Sequence, residues 1–228
     1  MTIANRIKNP FGKYKNAHEN ESAILYGSGP SIKKFKTTKN VIKIGMNEQI
    51  YLDLDLDYWF MGDPRNRQPE KFRNCKEDYD KYKPKIAKFI RWMLSVPRRQ
   101  KMPYNIPHST YYVAHFVGDK TQCCYKKNID EGTLPSYKTI TDEALQFALF
   151  AGFKRIYLVG HDCDYSSGTF RTDKLEGSDD KDEKLLLNMW PLIKEWIGEN
   201  YPNVKIYSIN PVGLKIFEEA TEEDIVEN

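Results

Sequence analysis

A chain of 228 residues, 40% hydrophobic and 29% charged, has the composition of a soluble globular protein of one domain, long enough to bury a sizeable core. Its net charge of +3 is too small to argue for nucleic acid as a partner, and no apolar run reaches the length of a membrane span. The four cysteines, Cys75, Cys123, Cys124 and Cys163, lack metal-ligand spacing, and the polar stretch 1–20 lacks the apolar core of a signal peptide, so the expected setting is a reducing cytoplasm.

Residues 1–20 read as a loosely held N-terminal arm, and 21–228 as a single α/β domain, in which the glycine turn described next is what suggests nucleotide binding. Ala23 to Tyr26 is an uncharged apolar run, the pattern of a strand covered on both faces. It leads into Gly27-Ser28-Gly29-Pro30-Ser31. The glycines leave room for a ligand to approach the main chain, Pro30 suits the first position of a helix, and Ser31 brings a hydroxyl. A helix start offers unpaired N–H groups, so these five residues are a candidate phosphate seat. They match neither common nucleotide loop: the dinucleotide pattern needs a third glycine, and the Walker loop needs Gly-Lys-Ser/Thr. The alternative is a tight strand-to-helix turn with no ligand.

Val41 to Gly45 reads as a second strand ending at Met46-Asn47, and Asp57 to Gly62 as a third ending at Asp63-Pro64. Ligands of doubly wound sheets bind at the carboxyl ends of strands, which would bring Asn47 and Asp63 beside the glycine turn. Residues 65–85 are charged and suit a short surface helix. Ile86 to Met93 fits a strand or a helix, 97–107 a loop, His108 to Val117 a strand, and 118–138 a long polar connection. A helix is expected over Asp142 to Ala151, with Thr141 as N-cap and Gly152 as its stop. Arg155 to Gly160 forms a strand ending in His161-Asp162. Residues 164–183 are polar and read as a mobile lid over the cleft. A helix over 184–199 containing Pro191, a strand over Val204 to Ile209 and a short helix over Leu214 to Ala220 complete the chain. Alternating strands and helices imply a Rossmann-like three-layer α/β fold with a mainly parallel sheet and a small lid.

Two positions carry candidate catalytic chemistry. Asp162, at a strand end, suits binding of a ribose hydroxyl, a metal, or an acceptor proton; its plainer role is to cap the following turn. His161 suits a general base, since an unperturbed imidazole titrates near 6.5. Two carboxylates converging on a phosphate repel it unless a divalent cation lies between them, so Asp63 with Asp162 forms a conditional Mg²⁺ site. Asp63 before Pro64 equally suits a turn cap.

The ordered motifs resemble a known superfamily. Gly27-Ser28-Gly29-Pro30-Ser31 resembles the G-x-G-P-S turn of the family 42 bacterial sialyltransferases, and Asn47 matches that family's asparagine after the second strand. Gly152 to Asp162 resembles its G-x-x-x-I-Y-L-x-G-x-D segment, and Lys205 to Pro211 its last strand. The 6-hydroxymethylpterin diphosphokinase-like family shows the same order, including an Asp-Pro matched by Asp63-Pro64. The resemblance implies a glycosyltransferase-like enzyme with a nucleotide-activated sugar donor, a CMP-sugar favoured, and no tightly bound cofactor. The turn Gly27–Ser31 would hold the donor phosphate, Asn47 and Asp63 would orient the donor, and His161 or Asp162 would take the acceptor proton. Family 42 places a general-base histidine in the lid, and residues 164–200 contain none. The alternatives are a Mg²⁺-dependent diphosphokinase-like transferase acting on a small alcohol, and a non-catalytic nucleotide-binding module.

Overall fold

The computed structural model describes residues 8–62, 76–93, 107–117, 122–137, 139–163 and 180–228. The strands are β1 (Ser22–Tyr26), β2 (Ile42–Met46), β3 (Tyr58–Met61), β4 (Ala87–Met93), β5 (Thr110–Phe116), β6 (Leu134–Ser136), β7 (Arg155–Val159), β8 (Lys205–Ile209) and β9 (Glu218–Ala220). The helices are α1 (Lys76–Lys81), α2 (Ile140–Ala151) and α3 (Asp180–Asn200). The strands form one sheet in the order β6-β5-β4-β3-β2-β1-β7-β8-β9, and every neighbouring pair is parallel. The expected parallel α/β sheet is therefore present. β1 lies in its interior, between β2 and β7, and is buried at all five positions, because an uncharged strand loses nothing by being covered on both faces.

The two faces are covered unequally. On one, Leu145, Ala148 and Phe147 of α2 and Met189, Trp190 and Ile193 of α3 pack on alternate residues of the strands, including Leu25, Ile44, Phe60, Phe89 and Leu158. On the other, Ile24, Tyr26, Trp59, Ile90 and Tyr157 are covered by thinner pieces: Ile32 and Phe35 after β1, Tyr79 of α1, and Ile225 near the chain end. The final segment crosses the amino edge of the sheet. There the Asn228 amide accepts a hydrogen bond from Ser22 N (2.6 Å) and donates one to Ser22 O (3.2 Å), closing the start of β1.

Several expectations change. Residues 8–20 are not a loose arm: Phe11 is fully buried and its ring packs against Phe89, Tyr112 and Phe147 at centroid distances of 5.2, 5.4 and 5.8 Å. Burying an aromatic ring outweighs the polar character of the sequence around it. The stretch 118–138 contains β6, whose Pro135 is tolerated because β6 is an edge strand. Residues 218–220 are strand β9, not helix, because pairing of Ile209 with Ala220 extends the sheet. The stretch expected as strand or helix resolves as strand β4, Ala87–Met93, paired on both sides by β3 and β5. α2 starts at Ile140, and its N-cap is Thr139, whose side chain accepts from Thr141 N. Residues 180–183, inside the expected lid, begin α3, and 164–179 lie outside the described residues.

Candidate functional site

The strand order runs outward from β1 through β2 to β6 on one side and through β7 to β9 on the other. Strand order thus reverses between β1 and β7, and a doubly wound sheet opens a crevice at the carboxyl ends of such a pair. The segments that leave these two strands are Gly27–Ser31 and Gly160-His161-Asp162. The fold therefore brings together two sequence motifs more than a hundred residues apart, and adds Asn47 from the end of the neighbouring β2.

The glycine turn is tied closely to β7. Gly27 N donates to Val159 O and Gly29 N to Gly160 O, each at 2.7 Å. A Cβ on Gly27 would lie 2.8 Å from the Gly160 carbonyl carbon, so this position is closed to any side chain. The expected helix start is a single 3-10 turn, Pro30–Lys34. A turn this short carries little of the dipole that makes a long helix attract anions. Gly29, at its N-cap, has φ −66° and ψ 151°, a conformation open to any residue. Its lack of a side chain serves a different end: a Cβ there would lie 2.6 Å from Asp162 Oδ2 and 2.7 Å from Asp162 Cβ.

Asp162 occupies the space in front of the turn. It is 5% exposed, and its carboxylate accepts from Ser31 N at 2.9 Å and from the Ser31 hydroxyl. Its carbonyl accepts from Gly213 N at 2.7 Å, which holds the residue from the β8 side. The place expected to receive a phosphate thus holds the chain's own carboxylate, bound by the same N–H and hydroxyl that a phosphate would use. Both oxygens of Asp162 are engaged with Ser31, one by its N–H and the other by its hydroxyl. Asp63, the other half of the conditional Mg²⁺ site, lies outside the described residues. Among the described residues, no group of three or more histidine, cysteine, aspartate or glutamate side chains is placed to hold a metal ion.

His161 packs against Gly27, and both its ring nitrogens are shut off from solvent without a hydrogen-bond partner among the described residues. Burial pushes its pKa down to about 4, against a smaller opposing effect of the nearby Val159 main chain. The folded protein holds a neutral imidazole, whereas the unfolded chain takes up a proton near pH 6.5. Stability is therefore expected to be full above pH 6.5 and to fall by about 1.4 kcal/mol per unit as the pH drops from 6.5 towards 4. Urea titrations of His161→Leu should show a flatter profile across that window; an unchanged slope would mean that this imidazole is not the buried group responsible.

Asn47 takes a left-handed conformation (φ 46°), which asparagine tolerates better than most residues. Its Oδ1 accepts from Gly62 N at 2.8 Å, and its carbonyl accepts from Trp59 Nε1 at 2.9 Å. The side chain thus ties the end of β2 to the end of β3. Two further groups escaped the sequence reading. Gln49, wholly buried, accepts from Met46 N at 2.7 Å and donates to Gly27 O at 2.8 Å and Ser28 Oγ at 3.0 Å. Its only sequence signal is one uncharged polar residue between Asn47 and the apolar pair Ile50-Tyr51. Arg91 of β4 donates to Gly62 O at 2.6 Å and to Glu143 Oε1 of α2 at 2.7 Å, and Glu143 Oε2 accepts from the Tyr112 hydroxyl. Burial opposes the charge on Arg91, but the facing Glu143 more than compensates and raises its pKa. A lone arginine among Phe89, Ile90 and Trp92 was the available clue to this buried pair.

No protein-family model matches the chain, and no curated protein matches it. Among solved structures, the sialyltransferase CstII from Campylobacter jejuni with the substrate analogue CMP-3FNeuAc aligns at TM-score 0.47 and 15% identity, over 91% of this chain and 89% of that one. The same enzyme with cytidine-5'-monophosphate aligns at TM-score 0.43 and 13% identity over the same shares.

Proposed function

We propose that this chain is a glycosyltransferase-like enzyme that binds a nucleotide-activated sugar in the crevice between β1 and β7. The supporting observation is the convergence at one sheet edge of the residues that resemble the family 42 motifs: the Gly27–Ser31 turn, Asn47 and Asp162. A CMP-sugar is the donor implied by that sequence resemblance. In this reading the donor phosphate displaces the Asp162 carboxylate from Ser31, and the freed Asp162 takes the acceptor proton or orients the ribose. The neutral His161, with a pKa near 4, is a weak base at neutral pH, since general-base catalysis works best when the pKa lies near the operating pH. Catalytic duty therefore falls on Asp162 in preference to His161. Cys123 and Cys124 are free thiols, in keeping with a cytoplasmic protein. No helix among the described residues is long and apolar enough to cross a membrane.

The test is a thermal-shift screen with CMP, UDP, GDP and ATP, each with and without Mg²⁺, followed by a transfer assay with the corresponding nucleotide sugar. A ligand that binds only the folded state raises the melting temperature, by an amount equivalent to about 2.7 kcal/mol at a hundredfold excess over Kd. CMP is expected to stabilise the protein without Mg²⁺. Stabilisation by ATP that depends on Mg²⁺ would favour diphosphate transfer, binding without turnover would favour a non-catalytic module, and no shift with any nucleotide would overturn the proposal.

A further inference from the structure

Gln49 is placed to do more than fill space. Its Oε1 accepts from the Met46 N–H, which fixes the orientation of the amide, because the reversed amide would set two donors face to face. Both Nε2 protons are then committed, one to Gly27 O and one to Ser28 Oγ. Ser28 is thereby used as an acceptor, and no described residue accepts its own proton. A serine hydroxyl donates once. Among the described residues the Ser28 proton thus has no acceptor, and Ser28 is half-buried just past the carboxyl end of β1 while Gln49 is wholly buried.

We infer that Gln49 is a positioning residue of the crevice: by donating to Ser28 Oγ it makes the Ser28 hydroxyl a donor to an acceptor oxygen of the bound nucleotide, a phosphate oxygen being the strongest such acceptor. The inference rests on the nucleotide-binding reading above. It assigns a role to a residue that makes no contact with the ligand. Hydrogen bonds to charged groups contribute more than neutral ones, and a donor whose acceptor side is already occupied is held in a single direction.

A double-mutant cycle on CMP binding, measured by calorimetry, tests it. Ser28→Ala and Gln49→Met are each expected to weaken CMP about tenfold. In the Ser28→Ala background, Gln49→Met is expected to add less than twofold, because its action passes through the hydroxyl. Ser28→Thr, which keeps the hydroxyl, should stay within about threefold of the parent. If the two losses multiply, Gln49 acts only as a structural prop and the inference is wrong. Should Gln49→Met fail to fold, the parent protein decides the matter: the Gln49 side-chain amide protons, followed by ¹⁵N–¹H NMR, should shift on CMP addition in the parent and not in Ser28→Ala. A Gln49 signal indifferent to CMP in the parent overturns the inference. A parent protein that binds no nucleotide brings down the functional reading itself, a different result from binding with additive losses.

Discussion

Replacing Arg91 with methionine is expected to destabilise the protein by about 3–5 kcal/mol. Arg91 and Glu143 are a buried pair, 9% and 0% exposed at their side chains, joined at 2.7 Å. Methionine fills much of the arginine's volume, so the cost is not mainly a cavity. It is the Glu143 carboxylate, left inside with the Tyr112 hydroxyl as its one remaining side-chain donor among the described residues, together with a Gly62 carbonyl that loses its donor. Breaking one side of a buried pair costs far more than removing both. Glu143→Gln in the Arg91→Met background should therefore recover a large part of the loss. Urea unfolding with unchanged m-values is the measurement. A single-variant loss under about 1 kcal/mol would show that the pair is better solvated than its burial implies. The effect should also reach the crevice, because Arg91 holds Gly62, Gly62 holds the Asn47 side chain, and Asn47 ends β2.

Gly29→Val is expected to cost about 3 kcal/mol in stability, at the upper end of the range for overpacking, and to weaken nucleotide binding tenfold or more, about 1.4 kcal/mol. The backbone at Gly29 suits valine, so the cost is wholly steric. The obstacle is Asp162, whose Oδ2 and Cβ lie 2.6 and 2.7 Å from where a Cβ would stand. The main chain and Cβ of Asp162 have little freedom to retreat, even where its carboxylate can leave Ser31. Ser31 binds its carboxylate, Gly213 N binds its carbonyl, and a Cβ on Gly213 would itself run into that carbonyl oxygen. Removing the obstacle should help: Asp162→Gly in a Gly29→Ala protein is expected to be more stable than Gly29→Ala alone. Circular dichroism must first establish that each variant is folded, since a collapsed turn imitates a binding defect. A folded Gly29→Val protein with parental stability and affinity would show that the turn and Asp162 separate freely.

The sequence by itself determined the class of fold and two of its interior strands. Ala23 to Tyr26 and Ile156 to Val159 are uncharged or nearly so, and an uncharged run can be covered on both faces at no cost in desolvation, which is why composition alone located β1 and β7. Gly152 likewise announced the end of α2, where it takes the left-handed conformation (φ 93°) that glycine allows. Asn47 was legible because it ends a strand, though the sequence could not say that its side chain binds Gly62 N.

Only the tertiary structure decided what surrounds the glycine turn. Glycines at 27 and 29 announce that something comes close, and the sequence cannot name what. A ligand phosphate was the natural candidate; the structure puts the Gly160 carbonyl against Gly27 and the Asp162 carboxylate against Gly29. The same holds for Phe11, Gln49, Arg91 and β9. Each is fixed by partners far along the chain: Phe147 for Phe11, Gly27 and Ser28 for Gln49, Glu143 for Arg91, and the β8 backbone for β9. Local periodicity and propensity record only what a residue's near neighbours allow. A buried polar group takes its meaning from its hydrogen-bond partner, and an edge strand from its neighbour in the sheet. Those partners are brought together by folding.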